Sequence, residues 1–149
     1  TENKVYGIDY SELAVERSIK LNKSAVDEGK CEIIKGSVSD LPFNDNSFDI
    51  VTGFETVYFW PDFVNDLKEV LRVLKDDGVI FIANEALPKE GDARQKELIE
   101  LLDMKIYSED ELVESLKLAG FSNVTSYIKD SKDSFTGEDA EWICAIAQK

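Results

Sequence analysis

The chain has 149 residues, 43% of them hydrophobic, with 17 basic against 31 acidic residues and a net charge of −14. That length suits one domain over residues 1–149 with a core of its own, and the acidic field opposes a phosphate backbone, so nucleic acid is not an expected partner. There is no histidine, which excludes His-centred triads, imidazole acid–base catalysis and histidine metal sites.

No apolar run approaches the roughly 20 residues that span a bilayer, and no charged-then-apolar leader opens the chain. A cytoplasmic protein without membrane contact is the expectation. Cys31 and Cys144 have no CxxC spacing and read as reduced core thiols. No metal site is expected.

In chain order, Lys4-Val5-Tyr6-Gly7-Ile8-Asp9 reads as a short strand ending in a carboxylate. Ser11 is placed to N-cap a helix, with Glu12 near the positive end of its dipole. The spacing carries that helix to about Asp27, with Val15, Ile19 and Val26 inward and Gly29 ending it. Glu32–Lys35 is a second strand, closed by Gly36, and a polar loop from Ser37 to Asn46 follows. Phe48–Phe54 is a third strand, suited to burial in a parallel sheet.

Pro61 sits in the first turn of the next helix, where its missing N–H costs little. Phe63, Leu67, Val70, Leu71 and Leu74 recur at helical spacing. Asp76-Asp77-Gly78 is the turn into the strand Val79–Ala83. Pro88–Asp92 reads as a charged loop, and a helix is predicted within Ala93–Leu102. Ser108–Glu111 is a capping box for a further helix ending at Gly120. Strands at about Asn123–Lys129 and Trp142–Ala147 close the chain, joined by a hairpin loop over Asp130–Asp139. Alternating strands and helices predict an α/β fold with a mostly parallel sheet and an antiparallel C-terminal edge.

An acidic residue at the carboxyl end of such a strand is placed to hold a ribose hydroxyl pair, which points to Asp9. Taken alone, Asp9 equally suits a turn or N-cap residue, and Ser37 a turn. Glu55 and Glu85 fall at the carboxyl ends of adjacent strands, where open α/β sheets bind ligands. The aromatic cluster Phe54, Tyr58, Phe59 and Trp60 reads either as core or as a wall for an apolar or flat substrate.

Gly7-Ile8-Asp9-Tyr10-Ser11, Gly36-Ser37-Val38-Ser39-Asp40-Leu41-Pro42-Phe43, Asn46-Ser47-Phe48-Asp49 and Leu71-Arg72-Val73-Leu74-Lys75-Asp76-Asp77-Gly78, with Gly120-Phe121 before a strand, come in an order and spacing that resemble class I S-adenosylmethionine-dependent methyltransferases of the type 11 branch. The resemblance implies a Rossmann-like sheet of strand order 3-2-1-4-5-7-6, S-adenosylmethionine as cofactor and a small-molecule methyl acceptor. It implies that Asp9 binds both ribose hydroxyls, that Tyr10 lies against the adenine, and that Val38 offers its backbone N–H to the ring. Phe54 would lie beneath the methionine part. Ser37 departs from the pattern, which commonly has Asp there, and its neutral hydroxyl should bind the adenine amino group more weakly. Catalytic residues are not assigned; should the acceptor need a base, Glu55, Tyr58 and Glu85 are the candidates.

The resemblance lacks the family's first strand and its glycine-rich turn, which by family topology lie between the strands ending at Asp9 and at Phe54. The sequence is therefore expected to be a piece of a longer protein, with a second chain supplying the strand, or closure of the two inner edges, as the alternatives. Taken by itself it is expected not to bind S-adenosylmethionine measurably, and to form a homodimer or a rearranged sheet through those edges. Two other functions compete: a non-catalytic methyltransferase-like scaffold, favoured by the missing segment and Ser37, and a nicotinamide-dependent dehydrogenase, against which the Leu-Pro-Phe loop and the late strand pair argue.

Overall fold

The structure, a computed structural model, describes residues 4–85, 93–132 and 139–149. Its contacts divide the chain into two compact units, Thr1–Pro42 and Phe43–Lys149.

The first unit comprises β1 (Val5–Asp9), α1 (Glu12–Leu21), α2 (Lys23–Asp27) and β2 (Cys31–Lys35). β1 and β2 pair in parallel, from Val5 opposite Cys31 to Asp9 opposite Lys35. Ser11 caps α1 as expected, its hydroxyl accepting the Ala14 N–H at 3.4 Å. The single helix expected to reach Asp27 is two. At Asn22 the backbone N–H and the side-chain amide both donate to the Ser18 carbonyl, and φ and ψ move to −100° and 22°. Asparagine competes in this way for helix carbonyls, which is why it favours helix ends over interiors. Val15 is buried, whereas Ile19, expected inward, is 37% exposed. A two-stranded sheet is too narrow to cover the whole apolar face of α1.

The second unit comprises β3 (Phe48–Phe54), a 3-10 turn at Val57–Phe59, α3 (Phe63–Val73), β4 (Leu74–Asn84), α4 (Ala93–Leu102), α5 (Glu109–Ala119), β5 (Ser122–Lys132) and β6 (Asp139–Gln148). Its sheet runs β3-β4-β6-β5. β3 and β4 are parallel, and β6 is antiparallel to both β4 and β5. Within each unit the strand order is that implied by the resemblance.

β4 starts at Leu74, not at Val79. Leu74, placed on the helix by its spacing, is instead the C-cap of α3 with ψ 142° and leads straight into the strand. The Asp76-Asp77-Gly78 turn becomes an irregularity inside β4, with Phe48 opposite Leu74 but Ile50 opposite Val79. Asp77 takes φ 65°, and a Cβ on Gly78 would stand 2.8 Å from the Lys75 carbonyl oxygen, so only glycine fits. β5 and β6 both extend beyond the expected ranges and shorten the hairpin loop, of which 133–138 lie outside the described residues, as does the expected loop Pro88–Asp92.

The core of this unit joins Leu67, Val70 and Val73 of α3 and Leu112 and Leu116 of α5 to Ile80 and Ile82 of β4 and Ile143 and Ala145 of β6, all buried. Each such leucine or isoleucine contributes about 1.5–3 kcal/mol. Among the described residues β1 pairs only with β2 and β3 only with β4, so each has an unpaired edge. Ile50 on β3 is 62% exposed and Phe54 is 55% exposed, unusual for a parallel strand.

α5 has the capping box read from the sequence. The Ser108 hydroxyl accepts the Glu111 N–H at 3.2 Å, and the Glu111 carboxylate accepts the Ser108 N–H at 2.9 Å. The Ser108 backbone N–H, with its hydroxyl and Lys105 adding, holds the Glu111 carboxyl below the ordinary value of 4.5. A carboxyl depressed by folding stabilises fully above its unfolded value and loses that contribution as pH falls through its folded value. Ser108→Ala should therefore cost about 1 kcal/mol in denaturant unfolding at pH 7. The penalty should shrink as pH drops below about 4.5, because protonated Glu111 no longer completes the box.

Candidate functional site

In the first unit, parallel pairing sets the carboxyl ends of β1 and β2 side by side. The Gly36 N–H donates to the Asp9 carbonyl at 3.0 Å, so the segments leaving the two strands start adjacent. Asp9 Oδ1 accepts the Ser11 N–H at 2.8 Å, an Asx turn that opens α1. Among the described residues its other oxygen, Oδ2, has no hydrogen-bond partner. Tyr10 is 70% exposed. The Ser37 hydroxyl accepts the Ser39 N–H at 3.2 Å, and Ser37 bridges to Asp40, so it is a turn residue two positions past the end of β2. Asp9, Tyr10, Ser37 and Val38 are thus brought together within one unit.

In the second unit the carboxyl ends of β3 and β4 carry Phe54, Glu55, Asn84 and Glu85. The Glu55 N–H donates to the Ala83 carbonyl at 3.0 Å, one step past the end of β3. Glu55 then turns with φ 54°, the left-handed region that a residue with a Cβ enters at a cost of about 1 kcal/mol. Its carboxylate accepts the Glu85 N–H and, at 3.2 Å, the Tyr58 hydroxyl. Glu55, Tyr58 and Glu85, named separately as base candidates, therefore form one clamp across the strand ends. Phe54 stacks edge-on with Phe81, ring centroids 5.6 Å apart. The buried Oδ1 of Asn84 has no partner among the described residues, an orphan acceptor where open α/β sheets bind ligands.

A cavity of about 670 Å³ opens in the same unit between the segment from Tyr58 to Val64 and the segment from Asp103 to Tyr107. The Lys105 N–H donates to the Tyr58 carbonyl at 2.9 Å and ties the two segments together. Beside it the buried carboxylate of Asp66 accepts the Asp62 N–H at 3.0 Å, fixing the entry to α3. The sequence reading named Tyr58, Phe59 and Trp60 but missed Asp103, Lys105 and Tyr107. Tyr107 did leave a signal: it precedes the Ser108 cap, the position where an apolar residue fixes the entry of the chain into a helix.

The family model described as a methyltransferase domain matches residues 1–82. A demethylmenaquinone methyltransferase of Staphylococcus carnosus is 31% identical over 160 residues, covering 90% of this chain and 61% of that protein. Cycloartenol-C-24-methyltransferase 1 of Oryza sativa subsp. japonica is 38% identical over 71 residues, covering 48% of this chain and 21% of that protein. The chain spans between about a fifth and three-fifths of the length of these relatives. Among solved structures, a phosphoethanolamine N-methyltransferase 2 of Haemonchus contortus, in complex with phosphomonomethylethanolamine and S-adenosylhomocysteine, superposes with a TM-score of 0.81 at 14% identity, covering 99% of this chain and 44% of that one. At that identity the likeness establishes the fold.

The clamp at Glu55 is testable by itself. Glu55→Gln retains the shape and one acceptor but loses the charge that strengthens both bonds, and it should lower stability by about 1 kcal/mol. The Glu85 amide should exchange faster with solvent in the variant. An unchanged Glu85 exchange rate would mean that Glu55 does not hold the strand ends.

Proposed function

Because this chain belongs to the methyltransferase-domain family, whose members use S-adenosylmethionine, we propose that the protein transfers a methyl group from that cofactor to a small-molecule acceptor. The observation that carries this reading is the first unit's grouping of Asp9, Tyr10, Ser37 and Val38 at the carboxyl ends of β1 and β2. A carboxylate with one engaged and one available oxygen fits a ribose diol. The exposed Tyr10 ring fits an adenine face. The Ser37–Val38 turn offers a hydroxyl and a backbone N–H suited to the edge of the base.

S-adenosylmethionine, when bound, supplies a methyl group already activated on a sulfonium. The protein's own work is then to align acceptor and donor and to exclude water. The absence of histidine is no obstacle, since a base is needed only for acceptors that lose a proton. Glu55 is better suited to positioning than to proton abstraction, because both of its partners use its carboxylate. The relatives' names point to unlike acceptors, demethylmenaquinone and cycloartenol, so shared residues do not fix the acceptor. The missing aspartate at position 37 favours a second reading, a non-catalytic scaffold of the same fold.

Calorimetric titration of the full-length protein with S-adenosylhomocysteine separates the two. Saturable binding is expected, and absent binding supports the scaffold. Asp9→Asn keeps the acceptor for the Ser11 N–H but turns the other side of the group into a donor. It should leave folding intact and weaken binding by about 1.5–3 kcal/mol, roughly 10- to 150-fold. Ser37→Asp preserves the turn to the Ser39 N–H and adds a charged acceptor, and should tighten binding. Unaltered affinity in Asp9→Asn would reduce Asp9 to a turn residue.

A further inference from the structure

The cavity of the second unit has a chemistry of its own. Its volume of about 670 Å³ lies in the middle of the range for small-molecule sites. One wall is an array of rings: Trp60 and Phe63 stand 5.8 Å apart edge-on, and Phe63 and Tyr107 lie 4.3 Å apart and tilted by 33°. Phe63 and Tyr107 are buried and packed ring against ring, so the array is held by the core, and Lys105 lies over the Tyr107 ring. Asp62 and Asp103 also line the cavity, against the single cation Lys105.

Lys105 shows what the wall prefers. Its ammonium sits 4.6 Å from the centre of the Tyr107 ring, within the distance at which a ring quadrupole attracts a cation. Among the described residues it forms no ion pair at contact distance, although its charge reaches the Glu111 carboxylate. The aromatic face is the site that this cation takes. The Tyr107 phenol is pushed above its ordinary value first by burial, which disfavours charge of either sign, and then by the carboxylates Glu111, Asp66 and Asp62, which set the sign against an anion. Surroundings that disfavour a phenolate also disfavour a phosphate or carboxylate ligand.

We propose that this cavity binds a small organic cation, an amine or methylated ammonium, on the aromatic wall formed by Trp60, Phe63 and Tyr107, with Asp62 and Asp103 supplying the counter-charge and Lys105 as the resident cation it displaces. The proposal concerns the cavity of the second unit alone and stands apart from the methyl-transfer reading. A cation in the cavity gains the ring face and two carboxylates, while an uncharged molecule of equal size gains only the apolar contact. Lys105 competes with the ligand for Tyr107, so its removal strengthens binding.

The test compares choline with its uncharged isostere 3,3-dimethylbutan-1-ol on the full-length protein, followed by tryptophan fluorescence and by calorimetry. Choline should bind saturably and about tenfold or more tightly than the alcohol, the ratio a partly desolvated cation–π contact gives. Lys105→Met, which keeps an apolar stem, should tighten choline severalfold. Asp103→Asn should weaken choline severalfold and leave the alcohol unchanged. It should fold normally, because Asp103 has φ 49° and asparagine accepts that conformation readily. Equal affinity for the two probes, no saturable choline binding, or a Lys105→Met protein that binds choline no better would each overturn the proposal. A parallel titration with S-adenosylhomocysteine keeps the two claims apart. Choline selectivity without nucleoside binding contradicts the methyl-transfer reading and supports the cation site, and nucleoside binding without choline selectivity overturns the cation site alone.

Discussion

Parallel strand pairing is the constraint on which the candidate site depends. Two parallel strands cannot be joined by a hairpin, so the chain must return over the length of the sheet before entering the second strand. α1 and α2 make that return between β1 and β2, and α3 makes it between β3 and β4. Each return brings the carboxyl ends of both paired strands to the same side. Asp9 and Ser37 follow one such pair of ends, and Glu55 and Glu85 the other. None of the four is near its partner in sequence; the crossover makes them neighbours.

At both pairs of ends the chain engages the exposed backbone with local side chains and keeps some polar capacity in reserve. Asp9 spends one oxygen on the Ser11 N–H and keeps the other. Glu55 enters a left-handed turn and uses its carboxylate to hold Tyr58 and the Glu85 backbone. Strain of this kind persists where surrounding contacts over-determine it, and here the Glu55 N–H to the Ala83 carbonyl and the two carboxylate bonds do so. The Rossmann-like methyltransferase fold thereby presents hydrogen-bonding groups in a fixed array before any ligand arrives, which is what alignment of donor and acceptor requires.

Much of this was legible in the residues. Ser11, the Ser108–Glu111 box and Gly120 marked helix ends correctly because capping is a local interaction whose partners lie within four residues. The turn roles of Asp9 and Ser37 were legible because a strand end followed by a turn residue has a short signature. Asn22 was missed because a helical apolar period continues through it, while the break comes from one side-chain bond to Ser18. Leu74 was misplaced for a related reason: its spacing is helical, yet its opposite number on β3, Phe48, draws it into the sheet. The cavity was only half visible. Tyr58 to Trp60 stand out as an aromatic run, but Asp103, Lys105 and Tyr107 meet them through a loop some 45 residues on, and no periodicity encodes that meeting.

The central claim is that the groups leaving β1 and β2 bind the nucleoside cofactor, and hydrogen exchange of the full-length protein with and without S-adenosylhomocysteine tests it most directly. The account predicts that protection on ligand addition concentrates in the segments around Asp9 to Ser11 and Gly36 to Ser39, with the helix-facing core of α3 and α5 unchanged. Saturating ligand that protects other segments and leaves these two exchanging at their free rates would contradict it.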